Sequence, residues 1–475
     1  MLITQYQYIK KTIMITNAPR QVMLTYLTNT KILLLVFACL LYGTTANANV
    51  NCNEEFTGTT PILDSNFENA LIALNIDTNG FNGNIDNDDA QFVETLSIAG
   101  YNIYNLSGIE AFENLKYLFA RNNNIVIASF SQNLNLEVLD LDDNKLSQLF
   151  ILNNSALKEI AISNNQLANI NVSNNLQLEF LYCNLNSLSS LDISSNSNLI
   201  ILSCYSNNLS IINLNSNSAL EMLFISDNNL SALDVSMNTG LDTLTFDNNN
   251  INSIDLSSNI ALEYLGCSNN ILSELDISAN SNLTRILCND NNLTAIDLSS
   301  APDLFLLFAM NNQIQSIDVS SNSALRFFRA ENNELIKLDI RNGENDIISQ
   351  FVATQNPNLS CVFVDNPNAS FLIDWELDEA SSFVEDNSDC ETLSIEEDFI
   401  ADFIVYPNPA NGQVNINLNS PQASVKLYTI KGQLVFEKDL AQGINSVNIS
   451  DFSSGLYVVA IQSEDNVTTK KLVIN

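Results

Sequence analysis

Six aspartates, Asp234, Asp255, Asp276, Asp297, Asp318 and Asp339, recur with a period of 21, and Asp192 precedes them in the same phase. If each lies on one strand of a stacked sheet, neighbouring carboxylates stand about 4.8 Å apart. That is close to the roughly 5 Å separation of a retaining glycosidase pair. A glycosidase also needs one acid of raised pKa inside a cleft, and a repeated outward column provides neither. The column therefore reads as a solvated stripe stabilised by hydrogen bonds to the next turn and to the serine at position 17 of the unit, or by cations. A second acidic group, Asp77, Asn79, Asn82 and Asp89, surrounds Gly80 and Gly83. Oxygen ligands on a glycine-containing turn suit a hard cation such as calcium. The chain holds no histidine, which excludes Ser-His-Asp and Cys-His nucleophilic chemistry and every His-containing zinc site. Its 18 basic against 54 acidic residues give a net charge of −36, which argues against a nucleic-acid partner. No enzymatic activity is expected.

The elements that position these residues come from a repeat. Leucine stands at 115, 136, 157 and onward at the same interval up to 325, without an insertion. The unit is L-x-x-L-x-x-x-x-N-x-L-x-x-L-x-L-x-x-N. A looser copy begins near Val93 and a degenerate one covers about 348–358. Positions 1, 4 and 6, such as Leu220, Leu223 and Ile225, have strand-like spacing, and no segment is long enough for a stable helix. Each unit is thus one turn of a coil that buries its apolar face only by stacking on its neighbours. Asparagines at position 9 (Asn123 to Asn333) and position 19 (Asn133 to Asn322, with Ala301 as the gap) suit the exposed backbone groups at the bends.

This pattern resembles the leucine-rich repeat family, in the style of secreted bacterial members such as the internalins. The resemblance implies a repeat solenoid: a horseshoe of 21-residue units with a parallel sheet and little helix. It also implies binding of a protein or glycan ligand on the concave face. Positions 3, 5 and 7 should face that side. They give Tyr117, Phe119, Arg121, Phe180, Tyr182, Tyr205, Phe224, Tyr264, Phe308, Phe327 and Arg329 as candidate ligand-binding residues. The loop 77–89 likewise resembles an EF-hand-type calcium loop, with Phe81 as an insertion and Asp89 in place of a glutamate. Calcium is the one cofactor the sequence suggests.

Residues 1–48 read as a secretory leader with an N-terminal extension. Lys31 precedes an apolar run at 32–42, and Ala46-Asn47-Ala48 follows as a cleavage signal. No transmembrane span is expected in the mature chain. Residues 49–92 are expected to cap the first repeat, with a helix over 62–76 that turns Phe67, Leu71 and Leu74 inward. Repeats occupy 93–358 and a C-terminal cap 359–390. There Cys361 and Cys390 bracket Trp375, and an exported chain can keep them as a disulfide. Cys183, Cys204, Cys267 and Cys288 take inward position 6 as small buried groups. Residues 49–400 hold 9 basic and 48 acidic residues, while 401–475 hold 5 and 6. That shift marks a boundary with a linker at 391–400.

From 403 onward the apolar period is two, with turns at Asn411-Gly412, Lys431-Gly432, Gln442-Gly443 and Ser454-Gly455. Six or seven short strands in a small all-β sandwich are expected. Tyr406-Pro407-Asn408-Pro409, the Gly432 turn, Gly455-Leu456-Tyr457 and the terminal Lys471-Leu472 resemble the type A C-terminal sorting domain of the type IX secretion system. That resemblance implies the secretion machinery as a partner, passage through the outer membrane, and a secreted or cell-surface location. The functional expectation is an adhesin-like binding protein. The alternative is a structural surface coat that self-associates.

Overall fold

The computed structural model describes residues 58–388, 390, 403–463 and 466–475. The leader expected at 1–48 and the linker expected at 391–400 lie outside them.

Each repeat contributes one short strand at positions 3–5, and thirteen such strands form a single parallel sheet running from Thr95–Ser97 to Gln350–Val352. Register follows the repeat. Leu202 faces Leu223 and Leu223 faces Leu244. The end units depart from it: Thr95 faces Tyr117 and Phe327 faces Gln350, both offsets being longer than the repeat. Leu220, Leu223, Ile225, Leu230 and Val235 are buried, and their columns merge into one core from Ile62 to Trp375. Burial of each such side chain contributes about 1.5–3 kcal/mol. The second extended segment forms ladders only towards the two ends, as at Ile127–Ser129 with Gln148–Phe150 and Ser316–Asp318 with Lys337–Asp339.

The bends are specified by polar side chains. Position 8 has left-handed backbone in every unit from Asn122 to Asn332, with φ of 52–55°. Asn and Asp dominate there because they tolerate that region. Position 9 ties adjacent turns. Asn228 Oδ1 accepts the Leu209 N–H at 2.9 Å, while Nδ2 donates to the carbonyls of Cys204 and Ile225 at 3.1 Å each. At position 19, Asn238 Nδ2 donates to Leu214 and Asn217 carbonyls at 3.2 and 2.7 Å.

The N-terminal helix spans Ser65–Ala73, capped by Asp64, whose side chain accepts the Asn66 N–H at 2.8 Å. Phe67, Ala70 and Leu71 are fully buried against the first repeat. The helix is shorter than expected and Leu74 is 37% exposed, because the chain leaves the helix at that residue. At the other end Phe328, Phe351 and Trp375 stack in series, with centroids 5.1 and 4.1 Å apart. Cys361 is disulfide-bonded to Cys390, Cα to Cα 5.8 Å. Trp375 thus closes the core with a ring rather than with another turn.

Among the described residues the C-terminal domain has five strands, not six or seven: Phe403–Asn411, Gln413–Thr429, Leu434–Asn448, Gly455–Ser463 and Asn466–Ile474. The turns expected at Gly412, Lys431-Gly432 and Ser454-Gly455 do separate strands, whereas Gln442-Gly443 lies inside one. The second and third strands stay paired through a register shift between Leu418 and Gln422, and Gly443 lies within the third strand. The first strand pairs with both the second and the last, which closes a barrel-like sandwich around Val414, Ile416, Val425, Leu427, Val459 and Leu472.

Candidate binding face and sorting tail

The concave sheet carries the residues expected there. Tyr117, Phe119, Phe180, Tyr182, Phe224, Tyr264, Phe308, Phe327 and Arg329 are strand residues, and Arg121 and Tyr205 each stand two residues past the end of a strand. Their exposure differs. Arg121 is exposed and the others are half-buried, except Phe180, which is only 9% exposed. Phe180 stands in register between Glu159 and Ile201, and that row covers it. It is a floor residue rather than a contact residue. Nor do the aromatics form one surface. Towards the C-terminal end Phe327 meets Phe305 edge-on at 5.3 Å, and Arg329 lies over Phe308 at 5.8 Å while pairing with Glu331. Towards the N-terminal end Tyr117 and Phe119 are separated from Tyr182, Tyr205 and Phe224 by acidic side chains.

Those acids, Asp140, Asp142 and Glu159, are absent from the sequence-based candidates. Asp140 stands in register between Phe119 and Ala161. Glu159 is 8% exposed and, among the described residues, accepts no hydrogen bond at its carboxylate. Burial, then the charges of Asp140 and Asp142, push its carboxyl up to about 7. Burial and Asp140 push Asp142 up to about 6, although it accepts the Ser163 N–H at 2.5 Å. Burial also raises Asp140, with Arg121 acting in the opposite sense. Arg121 itself lies 4.0 Å from Asp143 at the rim of an open polar groove that Lys145 and Asn164 also line. Tyr182 is raised by burial, then by Glu159 and Asp142. The patch thus offers carboxyl groups poised near neutral pH beside aromatic faces. Such groups accept hydrogen bonds from sugar hydroxyls or neutralise an amine or guanidinium. Their signal in the sequence is acidic residues at positions 3, 5 and 7 of adjacent units, where aromatic and basic residues alone suggest contacts by type.

The outward aspartate column behaves differently. Asp192, Asp234, Asp255, Asp276, Asp297 and Asp318 each accept the backbone N–H of the serine two positions on, at 2.9–3.0 Å. Those bonds, with the serine hydroxyls, hold the first five below the usual carboxylate range. Asp339 is instead paired with Arg341.

In the cap, Asp77, Asn79 and Asn82 lie in the loop after the helix, whereas Asp89, expected in the same loop, sits in the short helix Asn87–Ala90 beyond the strand Asn84–Asp86, which pairs with Thr59–Pro61. Asp89 Oδ2 accepts the Thr78 N–H and hydroxyl at 3.0 and 2.7 Å. Asn82 Nδ2 donates to Asn79 Oδ1 at 2.5 Å. Glu68, on the cap helix and outside the expected ligand set, accepts the N–H groups of Asn82 and Gly83 at 2.5 Å each.

In the tail, Asn408 between Pro407 and Pro409 clamps the last strand. Its Nδ2 donates to the Lys471 carbonyl at 2.7 Å, and its Oδ1 accepts the Val473 N–H at 2.8 Å. Leu472 between them is fully buried. Tyr457 Oη donates to the Ser453 carbonyl at 2.9 Å, bracing the turn at Gly455. Gly432 takes φ of 81° at its turn, and Tyr406 is 38% exposed.

Residues 404–475 match the family model described as the secretion system C-terminal sorting domain. Among solved structures, the functional domain of InlJ from Listeria monocytogenes aligns over 88% of this chain and 99% of its own, with TM-score 0.58 and 22% identity. The internalin InlF from the same organism aligns over 67% and 92%, with TM-score 0.56 and 20% identity. The chain is a leucine-rich repeat solenoid with a type IX sorting tail. As such it is exported through the outer membrane to the cell surface or beyond. The InlJ structure is described as including a cysteine ladder. Here Cys183, Cys204, Cys267 and Cys288 are fully buried free thiols on the inner column. The curated ulvan lyase NLR42 of Nonlabens ulvanivorans is 30% identical over 127 residues, which is 26% of this chain and 23% of that enzyme. The match therefore spans less than a quarter of that protein. Among the described residues no helix is long and apolar enough to cross a membrane.

Proposed function

We propose that this exported repeat protein is an adhesin-like binder that takes a protein or glycan ligand on its concave sheet, between Phe119 and Phe224. One observation supports the reading above the rest. Glu159 is 8% exposed, accepts no hydrogen bond among the described residues, and stands in register between Val138 and Phe180 on the open face of the sheet, near Tyr182. A side chain placed so is costly by itself and gains from a ligand that supplies the donor. In this reading 58–92 and 359–390 act as caps, 93–358 as the binding body and 401–475 as the address. The secretion machinery is a transient partner. No reaction is assigned to the chain.

The test is binding of the full chain to an array of polysaccharides and extracellular proteins. Saturable binding that weakens about tenfold or more in Phe119→Ala/Tyr182→Ala is expected. Absence of binding together with concentration-dependent assembly would favour the self-associating coat. Sugar release by the wild type that disappears in Glu159→Gln would make the face catalytic and overturn the binding-only reading.

A further inference from the structure

The acidic loop of the N-terminal cap is independent of the concave face. Asp77 is 4% exposed, and neither of its carboxylate oxygens has a hydrogen-bond partner. The N–H groups of Asn79 and Gly80 are turned towards it and offset part of its burial, but neither closes to bonding geometry. Glu68 and Asp89 add negative charge to the same neighbourhood. A buried carboxylate with no donor in bonding geometry costs several kcal/mol unless a cation accompanies it.

Among the described residues no basic side chain acts on Asp77. Residues 58–92 contain Asp64, Glu68, Asp77, Asp86, Asp88 and Asp89 but not one lysine or arginine. The first basic residue after them, Lys116, is engaged by Glu94 at 3.0 Å.

We propose that the cap binds one calcium ion at Asp77, within the loop 77–83 that joins the cap helix to the strand Asn84–Asp86. Its donors are all oxygens, so soft metals and zinc are disfavoured. Among the described residues no three acidic side chains converge on one point. The ion is therefore held by the Asp77 carboxylate together with loop carbonyls and the free lone pairs of Asn79 Oδ1, which accepts from Asn82 Nδ2, and Asn82 Oδ1, which accepts the Asn84 N–H at 2.8 Å. Gly80 and Gly83, at φ of 83° and 80°, let the backbone curve around it. An irregular site with few charges suits calcium better than magnesium, which demands near-octahedral geometry. It also belongs to the weak end of calcium sites, with Kd of about 10⁻⁴–10⁻³ M, as in extracellular modules.

The experiment is calorimetric titration of the full, chelator-treated chain with calcium chloride, with thermal unfolding recorded in parallel and magnesium chloride as control. One saturable site in that affinity range, with a melting temperature raised by roughly 2–4 °C at saturation, is expected. Asp77→Asn should weaken binding about tenfold or more. It should also melt no lower than wild type in chelator, because the amide removes an uncompensated charge without emptying space. Asp255→Asn should leave the titration unchanged. No calcium response in the wild type, a response kept in Asp77→Asn, or one lost in Asp255→Asn would each overturn the proposal.

Discussion

Two sets of carboxylates on one solenoid have opposite fates. The outward aspartates at 192, 234, 255, 276 and 297 each accept a serine N–H in their own turn, and the serine donors hold their pKa down. On the concave sheet, Asp140, Asp142 and Glu159 lose more to burial than they gain from donors, and their pKa values rise. Residue type and repeat geometry are shared, so the difference lies in desolvation against hydrogen bonding. The outward column has its partners within the chain. In the concave group Asp142 and Asp140 accept one backbone N–H each, at 2.5 and 3.2 Å, and Glu159 accepts none among the described residues, so burial outweighs the donors there. Asp247 lies between the cases. It is raised by burial, yet it accepts the Ser268 N–H at 2.8 Å and the Ser226 hydroxyl at 3.1 Å.

The largest expected effect is on the stability of the solenoid against pH. Glu159 and Asp142 have folded pKa values above their unfolded ones, so their contribution is complete below about pH 4 and is lost as pH rises towards 6–7. The outward column has folded values below its unfolded ones, so its contribution is present above about pH 4 and is lost as pH falls further. Thermal melts should therefore peak at about pH 4–5 and decline on both sides. Glu159→Gln should flatten the neutral limb and add roughly 1–3 kcal/mol at about pH 8. Asp255→Asn should leave that limb alone and shrink the acid limb.

Next in size, Gly266→Ala should destabilise by about 1–2 kcal/mol in denaturant titration. A Cβ there would stand 2.9 Å from Asp247 Oδ2 and 3.2 Å from Thr245 Cγ2. The same change in Asp247→Ala should cost less than in the wild type, a coupling that reports on the intermediate carboxylate. Smallest of all, Ser236→Ala removes only the hydroxyl bond to Asp234, at 2.7 Å, and leaves the backbone N–H in place. Its acid limb should move less than that of Asp255→Asn.

Much of this is legible in the sequence because repetition averages out local noise. Leu115 to Leu325 and the two asparagine columns specify the turn, the sheet and the inward face without help from tertiary context. Residues without a repeat to support them are harder to place. Leu74 has helical spacing but lies where the helix has already ended, and Gly443 reads as a turn but sits within a paired strand. Phe180 is exposed by register and buried by its row neighbours, which no single column reveals. Asp140, Asp142 and Glu159 are visible as letters, but their meaning depends on lateral neighbours one full turn away along the chain. In the tail, Asn408 reads as part of a motif; only the fold shows that its amide pins the backbone on either side of Leu472.

The most direct test of the account compares two variants of equal charge on the same binding array. Asp140→Asn/Asp142→Asn/Glu159→Gln removes the concave carboxylates, and Asp234→Asn/Asp255→Asn/Asp276→Asn removes three from the outward column. Both remove the same number of carboxylates, so non-specific attraction shifts alike. The account predicts that the concave variant loses the wild-type ligand while the column variant keeps it. Loss in the column variant, or equal loss in both, would contradict it.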